Sequence, residues 1–276
     1  MRNIVKGLLV LILASATAIV GAQSTSMPTP AQAQNPCAYK PSVSQSGKDV
    51  VWVPTPMETV EKMLELAKVT SKDFLMDLGS GDGRTVIAAA KRGARALGIE
   101  YNPDMVGLSR CNADAAGVSK LATFQQADLF ATDFSKADVV TMFLLPSINL
   151  RLRPTILNMK PGTRIVSNTF TMDDWEPDAQ ETVKGDCASW CTALFWIVPA
   201  KVEGIWRMPQ GELALTQQFQ QLTGRLGIQP ITNAKMRGSD ITFTSGGTVY
   251  TGTVKANTIV GTTAAGDTWT ASRQPS

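Results

Sequence analysis

The apolar and polar positions between about residues 50 and 200 follow two spacings in turn. Short continuous apolar runs, typical of buried strands, alternate with runs whose apolar residues recur at helical spacing. Strands are predicted at 74–78, 94–100, 122–127, 137–144 and 163–168, and helices at 58–69, 85–92, 103–116 and 147–159. This alternation predicts an α/β domain at 49–201, with a parallel sheet covered by helices on both faces.

The pattern changes near residue 202. The chain beyond it is dense in Thr, Gly and Val, and short runs alternate between apolar and polar residues, as at 241–244, 249–254 and 258–261. Turn residues separate these runs at short intervals. The pattern predicts a small antiparallel all-β domain at 202–276, built as a sandwich or a partial barrel.

The first 48 residues have the composition of a leader and a linker. Arg2 and Lys6 precede an apolar run at 7–20, and small residues follow it up to Ala22. We expect a signal peptide at 1–22 and an exported, periplasmic protein, because the run is shorter than the roughly 20 residues that span a membrane. An uncleaved run would instead anchor the protein to the membrane. Residues 23–48, rich in Ser, Thr, Pro, Ala and Gln, are predicted to be a linker.

Composition and charge limit which catalytic mechanisms and binding partners are possible. The 276 residues include 26 Lys plus Arg, 23 Asp plus Glu and no histidine, which excludes Ser-His-Asp and Cys-His catalysis. Removing residues 1–22 takes away two positive charges and no negative ones, which lowers the net charge from +3 to +1. A nearly neutral chain gives no indication of a nucleic-acid partner, so we expect a protein or small-molecule partner.

All four cysteines follow the predicted signal peptide, and exported proteins meet an oxidising compartment. Cys187 and Cys191 are close enough to form a disulfide, which would leave Cys37 to pair with Cys111. Four cysteines allow three pairings, and free buried thiols are the alternative. Their spacing is not typical of a zinc site, and we predict no metal.

A glycine-rich loop follows the first predicted strand and opens a helix, in the order Asp77-Leu-Gly-Ser-Gly-Asp-Gly-Arg84. Glycines let the backbone approach a ligand closely, and a helix N-terminus favours negative charge. The spacing is not that of a dinucleotide-binding G-x-G-x-x-G, and the Gly-Lys-Ser/Thr of a P-loop is absent. A G-x-G-x-G loop after a strand-end Asp is instead typical of S-adenosylmethionine-dependent methyltransferases.

Glu100 ends the second predicted strand and Asp128 follows the third, so with Asp77 three carboxylates are expected at one edge of the sheet. We predict that Asp77 holds the amino group of the cofactor's methionine part, Glu100 the ribose hydroxyls and Asp128 the adenine amino group, with Leu129 or Phe130 against the ring. The alternative is a nucleotide-binding-like fold with solvated acids at these positions. The predicted cofactor-binding residues are Pro54, Thr55, Asp77, Gly79, Ser80, Gly81, Gly83, Glu100, Asp128 and Leu129.

Five elements together resemble the class I methyltransferases that include the small mitochondrial protein-lysine methyltransferases. These elements are Val-Pro-Thr-Pro at 53–56, the glycine loop, Gly-Ile-Glu at 98–100, Asp-Leu at 128–129 and the stretch 140–146. The resemblance covers residues 50–175. It implies a Rossmann-like seven-strand sheet, S-adenosylmethionine as cofactor and a protein lysine as acceptor. The signal peptide, linker and β-rich domain depart from that family.

The resemblance also implies where the acceptor enters. It places Phe143, Pro146, Asn168 and Phe170 on the acceptor side, and Leu144 and Trp175 are candidates for the wall of an apolar channel. For Phe143 a plain core position is the alternative. Trp190, Trp196, Trp206 and Trp269 are expected in the core, rather than on a binding face.

The predicted function is direct in-line transfer of a methyl group to a lysine side chain, with no general base assigned. Two alternatives remain from the sequence. One is a small-molecule or lipid methyltransferase, and the other is a noncatalytic exported binding protein that retains the fold. The absence of Asn-Pro-Pro-Tyr after the fourth strand argues against methylation of adenine or glutamine.

Overall fold

The computed structural model describes residues 35–184 and 187–274. The predicted signal peptide at 1–22 and the predicted linker up to residue 34 lie outside the described residues. Within the described part of the chain, no helix is long and apolar enough to cross a membrane.

Seven strands form one mixed sheet in the order β3-β2-β1-β4-β5-β7-β6. They are β1 Phe74–Leu78, β2 Arg95–Glu100, β3 Ala122–Gln126, β4 Val139–Met142, β5 Arg164–Asn168, β6 Ala179–Thr182 and β7 Thr192–Ile197. The first five are parallel to one another, whereas β7 is antiparallel to both β5 and β6. The strand order reverses between β1 and β4, and ligands of such sheets bind at this switch point. The seven-strand α/β prediction is confirmed, although the sheet is not parallel throughout.

Four helices cover the two faces of this sheet, namely α1 Met57–Leu66, α2 Arg84–Lys91, α3 Pro103–Ala115 and α4 Pro146–Ile156. Buried residues of α1, α2 and α3, such as Val60, Ala89 and Val106, pack on one face. Those of α4, such as Ile148 and Leu152, pack on the other. The fourth strand is shorter than predicted because the chain turns after Met142 into the proline that begins α4.

The remaining strands form a closed antiparallel barrel. They are β8 Gly204–Met208, β9 Gly211–Gln218, β10 Gln221–Leu226, β11 Gln229–Arg237, β12 Asp240–Ser245, β13 Thr248–Lys255, β14 Thr258–Thr263 and β15 Thr268–Arg273. The barrel closes because β15 pairs with β8. The predicted antiparallel all-β domain is confirmed, and it is a full barrel rather than a partial one. Trp206 and Trp269 lie in its core as predicted, while Trp196 is buried in the sheet on β7.

The barrel packs against the seven-strand sheet. Phe219, in the turn between β9 and β10, stacks on Trp175 with 5.8 Å between ring centroids. The side-chain amide of Gln220 donates to the carbonyl of Glu176 at 2.7 Å. Trp175 is fully buried in this junction, so its predicted role in an acceptor channel is wrong.

Two disulfides are present, Cys37–Cys111 and Cys187–Cys191, which is one of the arrangements that the sequence left open. The first ties a short 3₁₀ turn, Pro36–Ala38, to α3. The chain then folds back on itself, because the amide of Ser44 donates to the carbonyl of Trp52 at 2.8 Å. The described part of the predicted linker, 35–48, is therefore attached to the α/β domain.

Candidate active site

A cavity lies at the carboxyl ends of β1, β2 and β4, next to the switch point of the sheet. It contains about 1040 Å³ of space free of atoms, its open mouth included. The predicted residues that line it are Pro54, Thr55, Asp77, Gly79, Ser80, Gly81, Glu100, Asp128, Leu129, Phe143 and Leu144. Five predicted residues are not part of this lining, namely Gly83, Pro146, Asn168, Phe170 and Trp175.

The glycine loop is held by β2 and shaped by left-handed residues. The amides of Gly79 and Ser80 donate to the carbonyl of Ile99 at 2.9 and 3.0 Å. Gly81 has φ +54°, and a Cβ atom there would lie 2.6 Å from Nε1 of Trp52. The loop therefore needs glycine at position 81 because a side chain there would intrude on the cavity wall.

Gly83 has a different role from the one predicted. A Cβ atom at this position would lie 2.7 Å from the ring of Phe124 and 3.0 Å from Cβ of Ser109. Gly83 thus allows α2 and the loop to pack closely on β3 and α3, and it does not reach the cavity. Its φ of +83° places it as the left-handed residue that precedes α2.

Asp77 is the most perturbed acid of the site. Among the described residues, the only hydrogen bond to its side chain is the one that the hydroxyl of Thr141 donates at 2.6 Å. Burial raises the pKa of Asp77 to about 7, and the charges of Glu100 and Asp82 act in the same direction. A cation placed beside Asp77 would favour its ionised form, which fits the predicted contact with an amino group.

Glu100 and Asp128 are held in place by backbone amides. Glu100 accepts from the amides of Gly81 and Asn102, both at 2.9 Å. Asp128 accepts from the amide of Phe130 at 2.9 Å and forms an ion pair with Lys48. Lys48 holds the pKa of Asp128 below its usual range. Each carboxylate oxygen keeps a second lone pair, so both residues can still accept hydrogen bonds from a ligand.

Residues 45–53, which we call the strap, form one side of the cavity. Lys48 reaches from the strap to Asp128, and Trp52 lies over Gly81. The sequence did not reveal this contribution, because the first part of the segment, 45–49, has a polar, linker-like composition. The one usable indication was the position of Trp52 directly before the Val-Pro-Thr-Pro segment.

Arg84 explains how the Val-Pro-Thr-Pro segment is attached to the glycine loop. Its guanidinium donates to the carbonyl of Thr55 at 2.7 Å and pairs with Asp82 at 2.6 Å. Asn168 supports the same segment, because its side-chain amide donates to the hydroxyl of Thr55 at 3.4 Å. Asn168 is fully buried, so it positions the segment and does not face an incoming acceptor.

Three aromatic rings continue outward from the cavity. Phe143 lines the cavity and stacks on Phe170 with 5.8 Å between centroids and 17° between planes. The centroid of the Trp190 ring lies 5.7 Å from that of Phe143 and 5.3 Å from that of Phe170. Trp190 is 37% exposed, so its predicted place in the core is wrong. Pro146 is an exposed residue at the start of α4 and is not part of the cavity lining.

The cavity fits the cofactor predicted from the sequence. Asp77, Glu100 and Asp128 line one cavity at three successive strand ends, as an amino group, a ribose and an adenine require. The unsubstituted backbone at Gly81 leaves space that a Cβ atom would fill.

Comparison with known proteins gives the same assignment. Residues 77–179 match the ANTKMT methyltransferase domain. The chain is 42% identical over 138 residues to a protein-lysine N-methyltransferase of Saccharolobus islandicus, covering 49% of this chain and 84% of that protein. It is 37% identical over 132 residues to the adenine nucleotide translocase lysine N-methyltransferase of Mus musculus, covering 47% of this chain but only 57% of that protein.

Among solved structures, an RNA methyltransferase from Salinibacter ruber in complex with S-adenosyl-L-homocysteine is 49% identical. That match has a TM-score of 0.51 and covers 54% of this chain and 96% of the other. The cofactor of this chain is therefore S-adenosylmethionine. The fold, the cavity and the Saccharolobus relative together show that this chain belongs to the family of class I S-adenosylmethionine-dependent methyltransferases that includes that relative.

Proposed function

We propose that this protein transfers a methyl group from S-adenosylmethionine to the side-chain amine of a protein lysine. The observation that carries the proposal is the 42% identity to the Saccharolobus protein-lysine N-methyltransferase over 84% of its length. The aromatic group of Phe143, Phe170 and Trp190 supports it, because aromatic faces attract aliphatic ammonium groups.

The residues divide into cofactor-holding and acceptor-facing groups. Asp77, Glu100, Asp128 and the glycine loop would hold the cofactor. Bound S-adenosylmethionine supplies a methyl group that its sulfonium already activates, so the protein has to align the acceptor nitrogen and exclude water. The exposed ring of Trp190 attracts the charged ammonium, whereas the removal of water around Phe143 at the cavity disfavours it. The lysine would therefore release its proton to solvent before the methyl group is transferred to the neutral amine.

The test is to incubate the full chain with methyl-labelled S-adenosylmethionine and polylysine, and separately with total RNA. We expect label in polylysine, with methyllysine identified by mass spectrometry after hydrolysis. Glu100→Ala is the control, because losing hydrogen bonds to the ribose should weaken cofactor binding by about 1–3 kcal/mol. Label that enters neither polylysine nor other added proteins would contradict the proposal.

Methylation of RNA is a second candidate, favoured by the name of the Salinibacter relative, which is 49% identical over 96% of its length. The charges at the cavity do not add support. The two cations of its lining, Lys48 and Arg84, are paired with Asp128 and Asp82. Nuclease-sensitive label in the RNA sample, with none in polylysine, would establish this second candidate.

We further propose that the protein is exported with residues 1–22 as a cleaved signal peptide. Two observations support this, namely the apolar run after Arg2 and Lys6 and the two disulfides, since disulfides persist in oxidising compartments. The test is to express the full chain, fractionate the cells and determine the N-terminal residue by mass spectrometry. We expect Gln23 in the periplasmic fraction, whereas an intact Met1 in the cytoplasm with reduced cysteines would contradict export.

A further inference from the structure

The loop between β6 and β7 carries a feature that the proposed function does not yet use. Trp190 lies inside the small ring closed by the Cys187–Cys191 disulfide. It has a left-handed φ of +60°, uncommon for a bulky residue. Its carbonyl accepts a hydrogen bond from the hydroxyl of Thr59 on α1 at 3.2 Å. The disulfide and the helix therefore fix the position of this tryptophan although its ring is partly exposed.

The ring of Trp190 completes an aromatic group built from three separate loops. Phe143 follows β4, Phe170 follows β5 and Trp190 precedes β7. Phe143 is the inner member, because it lines the cofactor cavity, and Trp190 is the outer and exposed member. The group thus extends from the cavity to the protein surface.

Hydrogen bonds also hold the loop that carries Phe170 in place. The buried amide of Asn149 donates to the carbonyls of Phe170 and Thr171 at 3.2 and 3.1 Å. The hydroxyl of Ser167 donates to the carbonyl of Phe170 at 2.7 Å. A binding wall needs such support, because a ring free to move would lose part of its contact energy to ordering.

We propose that Trp190 is a specificity-determining wall of the acceptor site, held by the Cys187–Cys191 disulfide, and that the site takes an aliphatic amine or its methylated ammonium. The proposal rests on the proposed function, since it names the wall of that same site. The face of an indole is the aromatic surface that binds alkylammonium groups best. Trp190 would therefore retain mono- and dimethylated lysine and favour successive methylation.

The kinetic test compares Trp190→Leu with Trp190→Phe in the full chain, with polylysine as acceptor. Trp190→Leu should raise the KM for polylysine about tenfold with little change in kcat, and Trp190→Phe should stay within about threefold of wild type. The Kd for S-adenosylmethionine should be unchanged in both, which shows that they are folded. Ile228→Ala is the matched control, because Ile228 is 92% exposed on the barrel.

The disulfide is tested by the double variant Cys187→Ser, Cys191→Ser. If the disulfide fixes Trp190, this variant should raise the KM for polylysine by about threefold. Combining it with Trp190→Leu should give the same KM as Trp190→Leu alone. A wild-type KM in the double variant would contradict the role of the disulfide.

A binding measurement separates this proposal from the proposed function. The probe is Nα-acetyl-trimethyllysine amide, titrated into the complex with S-adenosyl-L-homocysteine while indole N–H signals are followed by nuclear magnetic resonance. We expect the Trp190 signal, assigned by its loss in Trp190→Leu, to shift with the probe. If lysine is methylated but the Trp190 signal does not shift and the KM of Trp190→Leu is that of wild type, then Trp190 is not part of the acceptor site. The proposed function would remain intact. A shift of the Trp190 signal without lysine methylation would contradict the proposed function but support binding of the ammonium group by Trp190.

Discussion

At the scale of single residues, the cavity depends on one acid whose charge is costly until a ligand arrives. Asp77 is buried, receives one hydrogen bond from Thr141 and has a pKa near 7. Such a site is arranged for a cation, because the amino group of the cofactor replaces the water that burial has removed. Asp77 therefore links cofactor binding, protein stability and pH.

Asp77→Asn should show this link directly. Asp77 binds its proton more tightly in the folded chain than in the unfolded chain, so its contribution to the free energy of unfolding falls as pH rises from about 4 to about 7. The Asn variant removes that effect and should be more stable than wild type at pH 8, by about 1–3 kcal/mol. Its affinity for S-adenosylmethionine should be more than about tenfold weaker, because a charged contact is lost.

Calorimetric titration across pH checks the same residue in the wild-type protein. The Kd for S-adenosylmethionine should rise as pH falls below about 7, and this dependence should vanish in Asp77→Asn. Asp178→Asn is the control, because burial also raises the pKa of Asp178 but the residue is not part of the cavity lining. A wild-type Kd that is constant between pH 5 and 8 would contradict the link.

The glycine loop allows a second test with a matched control. Gly81 and Gly117 both have left-handed φ, but a Cβ atom at Gly117 would meet nothing within 4 Å. Each change to Ala should therefore cost about 1–2 kcal/mol of stability from backbone strain. Only Gly81→Ala should also weaken binding of S-adenosylmethionine, by about tenfold or more, because Trp52 must move. Equal affinities of the two variants in calorimetry would show that the loop does not contact the cofactor.

The sequence predicted residues of the cofactor side better than those of the acceptor side. Asp77 and Glu100 lie at the carboxyl ends of β1 and β2, and Asp128 comes two residues after β3. The end of a parallel strand fixes where the side chains there lie. The sequence could not show in this way that Trp190 is exposed and that Trp175 is buried. Both lie in irregular segments after β5, where burial depends on long-range packing that no local pattern encodes.

At the scale of elements, the strap shows how a segment outside the helices and strands becomes part of a site. Residues 45–53 lie on the cavity because the disulfide Cys37–Cys111 attaches the preceding turn to α3 and Lys48 pairs with Asp128. The first five strands of the sheet and its four helices were predicted to within a few residues, since their periodicity is strong, whereas no strand was predicted at β6 or β7. The strap has no such periodicity, and only tertiary contacts position it.

Removing this disulfide should affect both stability and cofactor binding. The bond closes a separation of 74 residues, so Cys37→Ser with Cys111→Ser should lower the free energy of unfolding by about 2–4 kcal/mol. A loosened strap should also weaken binding of S-adenosylmethionine by about threefold to tenfold, because the ordering of the strap must then accompany binding. Denaturant unfolding and calorimetric titration measure the two effects.

The second disulfide provides the control for the strap. Cys187 and Cys191 are separated by four residues, so their removal should lower stability less and leave the Kd for S-adenosylmethionine unchanged. An unchanged Kd in the Cys37→Ser, Cys111→Ser variant as well would mean that the strap does not contribute to cofactor binding.

At the scale of the whole molecule, the barrel and the sheet form one compact unit. Phe219 stacks on Trp175 from the barrel side, and the guanidinium of Arg153 lies 5.3 Å from the centroid of the Phe219 ring. The amide of Ala200 also donates to the carbonyl of Gly238 at 2.8 Å. The change in composition near residue 202 predicted the second fold, but the junction could not be predicted, because it joins a turn to a loop distant in sequence.

Phe219→Ala tests whether this junction couples the two folds. The variant removes a half-buried ring from Trp175, so we expect the free energy of unfolding to fall by about 2 kcal/mol. The cavity is formed by other residues, so the Kd for S-adenosylmethionine should stay at the wild-type value. Ile228→Ala, on the exposed side of the barrel, should change neither quantity. Denaturant unfolding followed by tryptophan fluorescence and circular dichroism should show one shared transition for wild type, and for Phe219→Ala both signals should change at a lower denaturant concentration. Separate transitions already in wild type would show that the junction does not couple the barrel to the sheet.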